Sequence, residues 1–272
     1  MSAPTINAKD VMALREKTGL GMMDCKQALA DSGGNFDKAI EALRAKLKGK
    51  MDLRADRPAS DGLIAIKVSA DGTSAVMVEV STETDFTARN DKTRETAEKI
   101  AAMAAAGAAG DVTASKEITD LIDNLRITTG ENVKFRRGVK LEGGFVGSYL
   151  HHDTKKGVLL LCSGKLDEET AKGICQHITA HVPPPVGITE ADIPAAEVEK
   201  VRENAVKEAM ESGKPREIAQ KMVEGKVRKY LQEITLLNQK YVKDLEGKKS
   251  VKDILPSGVT VQRFVRYLVG MD

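Results

Sequence analysis

Over the first fifty residues the apolar positions fall three and four apart, the period of a helix buried along one face. Val11 and Leu14 mark a short helix that Asn7 can cap, with Asp10 in its first turn and Thr18-Gly19 at its end. Met23, Cys25, Ala28 and Leu29 mark a second, stopped by Ser32-Gly33-Gly34. Phe36, Ile40, Leu43 and Leu47 mark a third, from Asn35 to Gly49. Residues 1–50 therefore read as a three-helix module, marginal alone at that size and suited to binding something. Met22 and Met23 follow the Gly19-Leu20-Gly21 turn. They cannot both face one core, so one belongs near the surface, where a flexible thioether suits an adaptable contact. Residues 51–61 are charged, carry no apolar period and read as a linker.

Beyond Gly62 the period shortens to two. Strands are expected over Gly62–Val68 and Ala75–Val80, joined at Asp71-Gly72, a strong hairpin signal. Helices follow at about 91–106 and 115–128, the second with Ile118, Leu121, Ile122 and Leu125 on one face, and Val133–Glu142 closes the half as a strand. The second half repeats the plan. Strands Gly144–Tyr149 and Val158–Cys162 flank a turn at His152–Gly157, a helix covers Glu168–His181, and a closing strand runs from Val259 to Val269. The expected fold class is α+β: a three-helix module, then two repeated α+β subdomains, 62–142 and 143–272. An antiparallel helical hairpin at about 194–232 interrupts the second, after Pro183-Pro184-Pro185 breaks the preceding helix. Its weak stripe sets Val198, Val201, Ala205 and Ala209 against Ile218, Met222 and Val223 around a Ser212-Gly213-Lys214-Pro215 turn. That suits a protruding arm for a partner or a second copy of the chain.

Composition narrows the function. At 272 residues the chain exceeds a single typical domain, and 41% hydrophobic residues suffice for real cores. Lys+Arg 42 against Asp+Glu 40 leaves +2, too little basic excess for a chain built around a nucleic-acid backbone. Aromatics at 3% with no Trp leave few base-stacking platforms. No apolar run is long enough to cross a membrane, and the start lacks a basic-then-apolar leader. Cys25, Cys162 and Cys175 are odd in number and scattered, so a reducing cytoplasm is expected rather than a disulfide framework. No nucleophile-elbow or phosphate-loop motif is present, so the expectation is an interaction protein, not an enzyme, with no cofactor.

The informative segment is Glu79–Asn90, between a strand and a helix. Phe86 lies there between Asp85 and Thr87, where no local apolar period would bury it. In one reading the ring is a wedge for another protein, contributing roughly 1.5–3 kcal/mol on burial, with Asp85 presented to a cation. In the other, Phe86 folds into its own core and Asp85 caps the next helix.

Leu14–Leu29 (LREKTGLGMMDCKQAL) and Glu79–Arg89 (EVSTETDFTAR) resemble the two signatures of the bacterial elongation factor Ts family. The likeness continues through Gly130–Arg137, Gly147–Tyr149 and Ser212–Gly225, and so covers essentially the whole chain. Family members are guanine-nucleotide exchange factors for elongation factor Tu, the GTPase that carries aminoacyl-tRNA. The resemblance implies a ubiquitin-associated-like front module, two core subdomains and a coiled-coil arm. It implies that Thr84, Asp85, Phe86 and Thr87 enter the partner's nucleotide domain near its Mg²⁺ site. It also places Met22, Met23 and Lys26 of the front module, and His151 of the second subdomain, at partner contacts. No metal on this chain, no direct nucleic acid and no membrane are expected. Thr87 stands where the family usually has valine, which trims apolar contact. The chain stops at Asp272, just past the last expected strand, so the further C-terminal segment of some members is expected to be missing.

Two rival readings remain. Cys175, His177 and His181 lie on one expected helix, with Cys162 and His151-His152 elsewhere, a spacing that can ligate zinc. Lys134, Arg136, Arg137 and Lys140 lie along one strand, as in an RNA- or ribosome-associated binding protein without exchange activity. Alternation puts Lys134, Arg136 and Lys140 on one face, expected as solvated edge charge.

Overall fold

The structure, a computed structural model, describes residues 6–271 apart from Ser212 and Lys214. Those two, expected in the hairpin turn, lie outside the described residues. The chain divides into two compact units. The first comprises Met1–Lys67, Val76–Lys140 and Leu268–Asp272, and the second Val68–Ala75 and Leu141–Tyr267.

The first unit begins with α1 (Ala8–Thr18), α2 (Met22–Asp31) and α3 (Phe36–Asp52). Asn7 Oδ1 accepts from Asp10 N at 2.7 Å and Asn35 Oδ1 from Lys38 N at 3.0 Å, which satisfies the exposed amides that start α1 and α3. Gly19, at φ 72°, ends α1 in the left-handed region. Leu14, Cys25, Leu29, Ala39 and Leu43 form the core of these helices, and Ile127 packs on it. α3 continues past Gly49, where the pattern had ended it. Met51 is buried, Arg126 Nη2 donates to the Met51 carbonyl at 2.8 Å, and Arg126 also pairs with Asp52 at 3.2 Å. These tertiary contacts outweigh the roughly 1 kcal/mol penalty of a helical glycine.

The unit's sheet contains β1 (Asp61–Val68), β2 (Ser74–Thr82), β3 (Gly110–Asp111) and β4 (Lys134–Glu142), in the order β1-β2-β4-β3. A short helix, α4 (Asp85–Arg89), precedes α5 (Asp91–Ala105), and α6 (Lys116–Thr129) follows β3. Val76, Val78 and Val80 alternate along β2, so they share one face. They meet Ala97 and Ile100 of α5 and Ile118, Ile122 and Leu125 of α6.

The expectation of solvated charge on β4 holds for Lys134 and Arg136, which are exposed, but not for Lys140. β3 pairs antiparallel with β4, Gly110 opposite Lys140, so β4 is an interior strand. Lys140 is buried, and its Nζ donates to the Gly107 carbonyl at 2.7 Å. Arg137 Nε lies 2.7 Å and Arg136 Nε 3.7 Å from the carboxylate of Glu79, which is fully buried.

In the second unit β5 (Phe145–Leu150) pairs antiparallel with β6 (Lys156–Cys162), Gly147 opposite Leu160. β7 (Val261–Leu268) lies on the other side of β6. Each sheet thus sets its closing strand beside the return strand of its hairpin. α7 (Glu168–Ala180) packs Ala171, Ile174 and Ile178 on Val158 and Leu160. Gly147 permits that approach, since a Cβ there would stand 3.1 Å from Ala171 Cβ.

α8 (Ala195–Glu211) and α9 (Arg216–Ile234) pack side by side through Ala205, Ala209 and Val223. Ile218, expected in that stripe, is exposed, and Ala219 packs in its place. Two alanines on α8 bring the backbones close, and a small neighbour fits where an isoleucine does not. A Tyr230–Glu197 hydrogen bond and a Lys226–Glu208 ion pair tie the two helices together. Beyond them lies α10 (Val251–Ile254). No helix among the described residues is long and apolar enough to cross a membrane.

Candidate functional site

β2 delivers the chain to Thr84, and the side chains around it fix the next turn. Thr82 Oγ1 donates to the Thr84 carbonyl at 2.8 Å. Thr84 is held by Glu131: its Oγ1 donates to Oε1 at 2.7 Å and its N–H to Oε2 at 3.2 Å. The same Oγ1 accepts from Thr87 N at 3.3 Å, so Thr84 is the N-cap of α4. Asn90 then caps α5, its Oδ1 accepting from Lys92 N at 2.9 Å. Behind the loop, Glu83 Oε1 accepts from Asn132 N at 2.6 Å. Asn132 Nδ2 in turn donates to the carbonyls of Ala55 and Arg57 at 2.9 and 2.7 Å.

With the backbone clamped from that side, the ring faces water. Phe86 is 84% exposed. Ala88 is the buried member of α4, and positions two apart on a helix differ by about 200°, so burying Ala88 turns Phe86 outward. The reading in which Phe86 folds into its own core is therefore wrong. Asp85 is not the cap either. It lies in the first turn of α4, where the helix dipole favours a carboxylate, and pairs with Arg89 at 3.3 Å. That pair is solvent-exposed enough to hold Asp85 only weakly.

Both methionines are exposed, Met22 at 45% and Met23 at 75%, rather than one. Leu20, Cys25, Ala28 and Leu29 fill the space that Met23 had been expected to share. Lys26 is exposed on the same helix. The Gly19 turn that leads into α2 lies by Lys92, whose Nζ would stand 3.3 Å from a Cβ at Gly19. Lys92 follows the Asn90 cap that ends α4, so the methionine turn and the Phe86 helix both adjoin the start of α5.

His151 belongs to the second unit, in the turn after β5. Its Nδ1 lies 2.8 Å from the Tyr149 hydroxyl, and its ring centroid 4.3 Å from that of His152. Tyr149 packs its ring on the second core, so the hydroxyl is a fixed point against which the imidazole is set.

The zinc reading of α7 loses its ligands to the protein itself. His177 is fully buried; its Nδ1 accepts from Val242 N at 3.2 Å, which leaves Nε2–H to donate to Gln239 Oε1 at 2.9 Å. Burial pushes its pKa down to about 4. His181 Nδ1 is taken by the Pro183 carbonyl at 2.8 Å, and burial pushes the Cys175 thiol far up. Among the described residues no group of three or more His, Cys, Asp and Glu side chains could hold a metal ion.

Glu131 and Asn132 lie in the Gly130–Arg137 stretch of the resemblance but were not among the expected site residues. Gly130, which caps α6 at φ 72°, is the local signal that the chain turns there, but nothing local pairs it with a loop 47 residues earlier.

A family model described as Elongation factor TS matches residues 83–271. The chain is 42% identical over 277 residues to an Elongation factor Ts of Thermobifida fusca (strain YX), covering 97% of this chain and 98% of that relative. It is also 42% identical over 277 residues to one of Thioalkalivibrio sulfidiphilus (strain HL-EbGR7), covering 98% and 92%. A relative of the same name from Rhizobium leguminosarum bv. trifolii (strain WSM2304) is 38% identical over 287 residues, covering 97% and 92%.

Proposed function

This chain belongs to the elongation factor Ts family, a family of translation elongation factors, and on that premise we propose that it binds elongation factor Tu in the cytoplasm and speeds GDP release. The observation that carries the proposal is the outward Phe86, presented on a short helix that Glu131 clamps from behind. A GTPase holds GDP through phosphate contacts and a Mg²⁺ that neutralises phosphate charge. A ring inserted beside that site shifts backbone that orients the metal's ligands. Once Mg²⁺ leaves, phosphate repulsion rises and GDP dissociates. No covalent bond is made or broken. The chain must bind the nucleotide-free partner more tightly than the loaded one, because a ligand shifts an equilibrium only by its differential affinity.

The other residues take supporting parts. Thr84 caps the helix, Asp85 brings a carboxylate beside the wedge, and Thr87 donates its amide to the cap. Holding α4 in place before encounter lowers the ordering cost of binding. Met22, Met23 and Lys26 give the front helices, in the place of the family's ubiquitin-associated-like domain, an adaptable contact, and His151 gives the second unit another. The α8–α9 arm serves a partner or a second copy. The alternative of an RNA- or ribosome-associated binder is weakened by the inward use of Arg137 and Lys140.

Stopped-flow release of a fluorescent GDP analogue from elongation factor Tu tests the reading. Losing roughly 1.5–3 kcal/mol of ring burial in Phe86→Ala slows catalysed release by about 10- to 150-fold, with circular dichroism unchanged. An unaltered rate removes the wedge.

A further inference from the structure

Lys17, Arg44, Lys92 and Lys99 line one cleft of about 260 Å³ in the first unit. They come from separate elements: Lys17 from the last turn of α1, Arg44 from α3, and Lys92 and Lys99 from α5. Glu95 is the only acid among the lining residues, so the wall carries a net charge of 4 − 1 = +3. None of the four cations has an ion pair among the described residues, while nearby lysines do: Lys48 pairs with Asp123 at 2.6 Å and Lys116 with Asp120 at 2.8 Å. Lys92 Nζ lies beside the Gly19 turn, at the C-terminal end of α1, whose partial negative charge favours an ammonium there. Asn124 of α6 adds an amide to the wall.

Four cations around one concavity repel one another, and low-dielectric walls focus their field into the cleft. We propose that the cleft binds a small polyphosphate anion: inorganic pyrophosphate or the diphosphate group of a nucleotide. A diphosphate carries about three negative charges near neutral pH, which matches the wall, whereas a single carboxylate does not. Guanidinium and ammonium donors suit phosphate oxygens. The volume takes a diphosphate group but not a helix or strand of another protein. Thr84–Thr87 do not line the cleft, although Lys92 of its wall follows the Phe86 helix.

Isothermal titration of the full chain with inorganic pyrophosphate tests this. The expected result is saturable one-to-one binding that weakens as salt rises, with no saturable signal from acetate. Arg44→Gln combined with Lys92→Gln weakens binding at least tenfold while leaving the circular dichroism spectrum unchanged. GDP and ATP separate the two sources: affinity equal to pyrophosphate assigns recognition to the diphosphate alone, and tighter binding adds a base contact. The proposal is overturned by absence of saturable pyrophosphate binding or by equal affinity in the double variant. It also fails if single-stranded RNA binds more tightly than pyrophosphate through the same two cations.

Discussion

Replacing Glu131 with alanine isolates how the exposed ring is held, because Glu131 touches the loop without belonging to it. The change removes both acceptors of Thr84, the Oγ1 contact at 2.7 Å and the N–H contact at 3.2 Å. A hydrogen bond to a charged group contributes about 1.5–3 kcal/mol when buried. Here the groups are half-buried and water replaces part of each contact, so about 1–2 kcal/mol for the pair is the working figure. If that free energy orders α4 for encounter, its loss lowers the competent fraction by roughly 5- to 30-fold. The deficit belongs in apparent affinity. In stopped-flow GDP release, the rate at limiting chain concentration falls by that factor, while the plateau at saturating chain stays near the parent's. Glu131→Gln keeps one oxygen for Thr84 and falls between. Release within twofold of the parent in both variants, with equal thermal unfolding, would refute the clamp.

Other outcomes follow from single contacts. Tyr149→Phe removes the 2.8 Å bond to His151 Nδ1 but keeps the packed ring, and weakens partner binding by about 2- to 10-fold; no further loss is expected in a His151→Ala background, and additive losses in the double-mutant cycle would contradict the coupling. His177 resists protonation until about pH 4 in the folded chain but accepts a proton near pH 6.5 when unfolded. Its contribution is therefore complete above pH 6.5 and falls by about 2 kcal/mol on reaching pH 5; urea unfolding at both pH values, parent against His177→Gln, reads the difference, and equal pH dependence in the two rejects it. Gly62→Ala puts a Cβ 2.3 Å from the Val80 carbonyl at φ 151°, and unfolding at an unchanged temperature would contradict an expected loss above about 3 kcal/mol.

Legibility tracked the range of the interaction. Val11, Leu14, Cys25, Ala28 and Leu29 announce their helices because three- and four-residue spacing is a local property, and the structure buries all five. The two hairpins and their closing strands were readable from alternation and from Asp71-Gly72. α4 was not, since Thr84 as cap depends on a carboxylate 47 residues away. β4 looked like an edge because β3 is two residues long and gives no period, and Lys140 looked solvated because its acceptor is the Gly107 backbone. Phe86 was legible as an anomaly, though its direction was not. The anomaly is a ring among polar neighbours; the direction comes from the burial of Ala88. His177 looked like a ligand because spacing reports chemistry but not occupancy, and both ring nitrogens are already engaged.

Exposure alone does not single out Phe86. Leu53 at 88% and Leu245 at 99% are more exposed, and scattered surface leucines are ordinary. Against Leu245, what differs is the support beneath. Leu245 rides on a turn that Asp244 closes by accepting from Lys249 N, five residues on, so local sequence suffices to shape it. Phe86 rides on a helix whose cap is fixed by Glu131 from another element, next to a second long-range tie between Glu83 and Asn132. Ordering a surface loop from outside costs conformational entropy, and half-burying a carboxylate to do so costs desolvation. A solvated loop that served only to connect β2 to α5 would need neither. Burial of Ala88 would be satisfied by a frayed turn, but a ring that must arrive at a fixed angle is not. The clamp therefore points to Phe86 as the group being aimed, and it predicts that loosening Glu131 and trimming Phe86 lose the same thing: once the ring is gone, Glu131→Ala should slow GDP release no further.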